Sequence, residues 1–140
     1  MSDSAHCVFC KIIRGAIPSV KVYEDDHTFV FMDIQPASPG HTLVIPKNHA
    51  ANLMEIPEAD LLATTKMVQR VARAIHKALT PDGIRMVQTN GEAAGQTVFH
   101  YHVHLIPMQE GKKLGTHGRE PAKPEELRAL AARIGEALEH

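Results

Sequence analysis

The sequence predicts an α+β fold built on a mainly antiparallel sheet of about five strands, and two observations carry that prediction. Short strand-like segments fall in two groups, three before residue 46 and two between residues 84 and 106. One long helical stripe separates the groups and a second closes the chain. A parallel sheet would instead alternate strand and helix throughout.

Residues 20–24 alternate weakly and read as a first strand, Asp25-Asp26-His27 as a turn, and residues 28–32 as a second strand, so the pair forms a hairpin. Residues 33–40 hold two prolines and a glycine and read as a loop. Residues 41–45 form a third strand, stopped by Pro46. Pro57 opens a helix with Glu58 and Asp60 in its first turn. Leu61, Thr65, Val68, Ala72, Ile75 and Leu79 then recur at helical spacing until Thr80-Pro81-Asp82-Gly83 ends the run. Residues 84–89 and 98–106 are the fourth and fifth strands, joined by a loop with Gly91 and Gly95. A last helix starts near Pro124, with Leu127, Leu130, Ile134 and Leu138 on one face.

The 140 residues suit one domain spanning the whole chain. Fifteen Lys+Arg against 16 Asp+Glu leave a net charge of −1, so no basic excess points to long nucleic acid. With 4% aromatics and no Trp, a base-stacking surface is not expected. The N-terminus lacks the basic and apolar regions of a secretory signal, and no run nears the ~18 apolar residues of a membrane span. The expected location is cytoplasmic, away from any membrane. Cys7 and Cys10 are too few and too close for a secreted disulfide framework.

Ten histidines are the informative feature, above all the run His100-Tyr101-His102-Val103-His104. Alternate residues of a strand share a face, so the three imidazoles point one way while Tyr101, Val103 and Leu105 point toward a core. The outer pair would lie about 13 Å apart, nearly out of reach of one ion with bonds near ~2.0 Å to nitrogen. A division of labour follows, with one end for structure and the rest for chemistry. A neutral imidazole is a good nucleophile for phosphorus; attack forms a phosphoryl-histidine that water releases. The loop Asn90-Gly91-Glu92-Ala93-Ala94-Gly95-Gln96-Thr97 leads straight into this run. Its glycines let backbone N–H groups approach an anion, and Asn90, Gln96 and Thr97 add side-chain donors.

The segment Gly95-Gln96-Thr97-Val98-Phe99-His100-Tyr101-His102-Val103-His104-Leu105-Ile106 resembles the signature of the histidine-triad (HIT) family, His-φ-His-φ-His-φ-φ with φ apolar or aromatic. Residues 40–49, Gly-His-Thr-Leu-Val-Ile-Pro-Lys-Asn-His, and Phe31-Met32-Asp33-Ile34 resemble its upstream segments. The match runs from about residue 7 to residue 107, with residues 108–140 a variable extension. It is similar to the HINT-like branch, whose members hydrolyse nucleoside phosphoramidates and related adenylylated compounds and form homodimers with one continuous sheet.

The resemblance implies a purine nucleotide substrate, adenosine favoured, and no organic cofactor. It makes His102 the nucleophile, His104 a phosphate contact and His41 a support from the third strand, with His100 as the first member of the triad. It implies that Asn90, Gln96 and Thr97 hold the α-phosphate beside Gly95, and that Asp33 binds the ribose hydroxyls. It implies that Phe9, Ile12, Phe31 and Ile34 line the base pocket. Core packing for the apolar residues and a turn role for Asp33 are the competing explanations. Diadenosine polyphosphate hydrolysis, nucleotidyl transfer and a non-catalytic nucleotide-binding module are the alternative functions. His104 stands where related transferases carry Gln, which favours hydrolysis.

Cys7-Val8-Phe9-Cys10 reads as half of a zinc site or as a redox pair; the latter needs a preceding strand, and only six residues come before it. In HIT proteins that carry such a site, the pattern places a structural zinc on Cys7, Cys10, His49 and His100. His6, His27, His76 and His117 are expected on the surface.

Overall fold

The computed structural model describes residues 4–112 and 121–139, so His117 and most of the polar stretch before the last helix lie outside the described residues. The strands are β1 (Lys21–Glu24), β2 (Thr28–Met32), β3 (Thr42–Pro46), β4 (Gly83–Val87) and β5 (Val103–Met108). They form one sheet in the order β1-β2-β3-β5-β4, with every pair antiparallel. The helices are α1 (Val8–Ile13), α2 (Glu58–Leu79) and α3 (Pro124–Ala137). Among the described residues no helix is long and apolar enough to cross a membrane.

The central strands are apolar on both faces, because both faces are covered. Val30 and Met32 of β2, Val44 of β3 and Val103 and Leu105 of β5 share one face. They pack on Met67, Val71 and Ile75 of α2 and on Leu127, Ala131 and Ile134 of α3. Phe29, Phe31, Leu43 and Ile45 point the other way and join Phe9, Cys7 and Cys10 around the short helix α1. The large core thus lies under two helices, and the opposite face of the sheet is left for the histidines.

Several elements depart from the sequence reading. Helix α1 has no apolar period long enough to announce it; Cys7 caps it, its Sγ accepting from the Cys10 N–H at 3.4 Å. Helix α2 buries Thr64, Met67, Val68, Val71, Ala74 and Ile75, while Thr65 is exposed. The buried stripe is rotated by one residue because Thr64 can turn inward, its Oγ1 donating to the Asp60 carbonyl at 2.7 Å. The fourth strand ends at Val87, and β5 begins only at Val103. Residues 98–102 leave the ladder because the Tyr101 N–H donates instead to the Ala50 carbonyl at 2.7 Å. His41 sits just before β3 rather than in it.

Gly40, next to His41, has φ +95°, a conformation that L side chains rarely adopt. A Cβ there would stand 2.6 Å from Leu79 Cδ1 and 3.1 Å from Pro107 Cγ. Gly40→Ala is therefore expected to lower stability by about 1–3 kcal/mol, from backbone strain and displaced neighbours. Denaturant unfolding followed by circular dichroism measures it.

Candidate functional site

Although residues 98–102 lie off the ladder, the alternation of faces survives. Tyr101, Val103 and Leu105 are in the large core. His100 and His102 meet the Phe9 ring edge-on on the other face, at centroid distances of 5.9 and 5.1 Å. The His102 and His104 rings lie 5.0 Å apart. The structure brings His41 to the same place from the loop before β3, its ring 5.1 Å from that of His104.

Hydrogen bonds assign the protons on these rings. The Ala37 N–H donates to His41 Nδ1 at 3.0 Å, so a neutral His41 carries its proton on Nε2. That Nε2 stands 2.9 Å from His104 Nδ1 and donates to it, so neutral His104 in turn carries its proton on Nε2. His102 Nδ1 lies 2.6 Å from the His100 carbonyl and donates to it, leaving the lone pair on Nε2. Neighbouring imidazoles are thus set in opposite tautomers, one to attack and one to donate. Asp33 Oδ2 is 3.6 Å from His41 Nε2, a buried carboxylate that favours positive charge on the relay.

A cavity of about 440 Å³ lies against His102 and His104. Of the residues expected around a nucleotide, Phe9, Ile12, Phe31, Asp33, Ile34, Gly95 and Thr97 all line it. Phe9 and Phe31, with rings 5.4 Å apart, belong to the small core as well, so packing and pocket wall are one role for them. Asp33 also serves as a turn residue, Oδ1 accepting from the Gln35 N–H at 2.8 Å. Asn90, Gln96, His41 and His100 are not among the lining residues. Gln96 is buried, its Nε2 donating to the Ala51 and Val98 carbonyls and its Oε1 accepting from the Gly91 N–H at 2.8 Å. Asn90 Oδ1 accepts from the Leu53 N–H at 2.8 Å. These two amides shape the glycine loop rather than face the cavity.

Cys7, Cys10, His49 and His100 bring one ligand atom each to within 4.8 Å of one another. Cys7 Sγ and Cys10 Sγ stand 3.4 and 3.5 Å from His100 Nδ1, and Cys10 Sγ stands 3.3 Å from His49 Nδ1. A tetrahedral zinc spaces sulfur and nitrogen ligands by about 3.6 Å, so the donor set and its size fit that ion. His100 Nε2 donates to the Pro46 carbonyl at 2.8 Å, which turns the Nδ1 lone pair toward the thiols. Burial pulls the His100 imidazole down to about 4 and pushes the Cys10 thiol up to about 11, the latter aided by Cys7. A dication among the four would reverse the thiol shift.

Residues 14–111 match the model of the HIT domain. A protein named hit from Bacillus subtilis is 43% identical over 143 residues, covering 99% of this chain and 98% of that one. The chain belongs to the HIT domain family. Two relatives carry hydrolase names. An adenylylsulfatase of Arabidopsis thaliana is 46% identical over 74% of this chain and 53% of its own length. An adenosine 5′-monophosphoramidase of Candida albicans is 43% identical over 79% of this chain and 75% of its own. Among solved structures, a HIT-like protein from Bartonella henselae superposes with a TM-score of 0.94 at 43% identity, covering 99% of this chain and 100% of that one. A zinc-bound histidine triad protein from Mycobacterium smegmatis gives 0.82 at 39%, covering 96% of each.

Pro18, Ser19 and Val98 also line the HIT cavity and were not singled out from the sequence. Ser19 and Pro18 precede β1 in an irregular stretch with no motif to mark them. The tautomers are open to measurement: ¹⁵N-edited NMR near pH 8 is expected to show His102 protonated on Nδ1 and both His41 and His104 on Nε2. His102 protonated on Nε2 would contradict the assignment.

Proposed function

We propose that this protein is a nucleotide hydrolase that cleaves the P–N or phosphoanhydride bond of nucleoside phosphoramidates and related adenylylated compounds. The supporting observation is the pair of opposed imidazoles, a lone pair on His102 Nε2 beside a proton on His104 Nε2, at the wall of a nucleotide-sized cavity. The hydrolase names of the Arabidopsis and Candida relatives agree with it.

In this reading His102 Nε2 attacks the α-phosphorus as the bond to the leaving group breaks. The leaving group departs with the electron pair and takes a proton from solvent, and an Nε2–P bond forms that leaves the His102 ring cationic, its Nδ1 proton still on the His100 carbonyl. His104 Nε2–H donates to a phosphate oxygen and counters its negative charge, and the contacts of His41 with His104 and Asp33 hold the His104 proton on that nitrogen. Water then attacks the same phosphorus and gives up a proton to solvent, the electron pair of the N–P bond returns to His102 Nε2, and the nucleoside monophosphate is released. Asp33 accepts hydroxyls of the ribose, with Phe9, Ile12, Phe31 and Ile34 against an adenine-like base. Thr97 meets the phosphate, while the loop N–H groups expected to cradle it are engaged within the loop, those of Gly95 and Gln96 donating to the Glu92 and Gly91 carbonyls at 3.0 Å each. Asn90 and Gln96 serve the phosphate through the loop they shape.

Zinc on Cys7, Cys10, His49 and His100 is structural in this reading, since four protein ligands leave no open position. Two copies join through β4, the edge that carries exposed Met86, into one continuous sheet.

Incubation with adenosine 5′-phosphoramidate is expected to release AMP, and His102→Ala to lower the rate by about 10⁴-fold or more. Mass spectrometry of a reaction quenched in alkaline denaturant, where the acid-labile P–N bond survives, should find one nucleotidyl group on His102. Equal rates in the two proteins would sink the nucleophile assignment. Elemental analysis of protein purified without chelator should find about one zinc per chain, and Cys10→Ala should remove it.

A further inference from the structure

The cavity over the triad has a neighbour at each end. A groove beside α3 shares Pro18, Ser19 and Ile34 with it. A cleft of about 660 Å³ shares Val8, Thr97 and Val98 with it. With the nucleoside at the Asp33–Ile34 end and phosphorus at His102 and His104, the displaced group lies on the side of Thr97 and Val98. That side leads into the cleft.

The cleft is amphipathic. Val8 and Phe99, 38% and 42% exposed, supply apolar surface. Glu55 is the carboxylate lining it, His6 and His49 add imidazoles, and no lysine or arginine lines it among the described residues. The backbone of the turn that bears Glu55 is held in place relative to the phosphate loop. Its N–H donates to Asn52 Oδ1 at 3.1 Å, the Leu53 N–H donates to Asn90 Oδ1, and Gln96 Nε2 donates to the Ala51 carbonyl at 2.6 Å. The turn bearing Glu55 and the loop before the triad are thus tied at both ends.

We infer that this cleft receives the leaving group and that Glu55 selects cationic, amine-bearing leaving groups over anionic ones such as sulfate or a second nucleotide. The inference rests on the hydrolase reading above. A lone carboxylate at an exposed site is worth up to about fivefold toward a cation and works against an anion. A cleft built for sulfate or polyphosphate needs the opposite sign.

Three AMP amidates test it, sharing the same P–N bond: one of propylamine, one of 1,4-diaminobutane and one of β-alanine. At pH 8, above the ordinary imidazole range, kcat/KM for each charged amidate is divided by that for propylamine within the same protein. The wild type is expected to favour the diaminobutane over the β-alanine amidate, and Glu55→Lys to shift that ratio by roughly tenfold toward the anion. The preference should shrink in about 0.5 M salt. An unchanged ratio in Glu55→Lys overturns the role of Glu55 while hydrolysis of the propylamine amidate leaves the hydrolase reading standing. Failure of the wild type on all three overturns both.

Discussion

A hydrogen bond of 2.6 Å between His102 Nδ1 and the carbonyl of His100 sets the chemistry available to the whole site. An imidazole in water exchanges its proton between two nitrogens. Here a backbone carbonyl two residues upstream holds that proton, and the opposite nitrogen keeps the lone pair. The Ala37 N–H does the reverse for His41, and His41 passes the choice to His104. Both assignments come from backbone groups, so they depend on where the chain runs more than on side-chain identity. That is why the departure of residues 98–102 from the ladder matters. A regular strand would spend the His100 carbonyl on a neighbouring strand or on solvent.

The sheet explains why such a site can be both buried and accessible. One face is closed by α2 and α3 over the large core. The other carries only the six residues of α1 and the side chains around it. Polar groups on that face need partners, and they find them in each other and in loop backbone. His100 is fully buried yet bonded at both nitrogens, on one side to a carbonyl and on the other to thiols.

Much of this was legible in the sequence because it rests on period-2 and period-3.6 patterns. The strand order was not, yet four of five strands fall within one or two residues of expectation. The grouping of Cys7, Cys10, His49 and His100 was reached through family resemblance, and the structure brings those four together. Helix α1 escaped because six residues hold too few turns to display a period. The true face of α2 escaped because threonine counts as apolar or polar according to whether its hydroxyl finds a carbonyl. Gln96 and Asn90 are the instructive cases. Donor side chains beside a glycine loop suggest ligand contacts, and only the folded loop reveals that their amides are already committed to Ala51, Leu53 and Gly91.

Helix α1 carries Cys7 at its cap and Cys10 in its body, and between and beyond them Phe9 and Ile12 of the cavity wall. A helix this short has little stability of its own, so the thiol cluster and the ring contacts hold it together. Drift in the two thiols is therefore not neutral. A lineage that discards them must first acquire another anchor for the same turn, and the two traits should be inherited, or lost, as a unit.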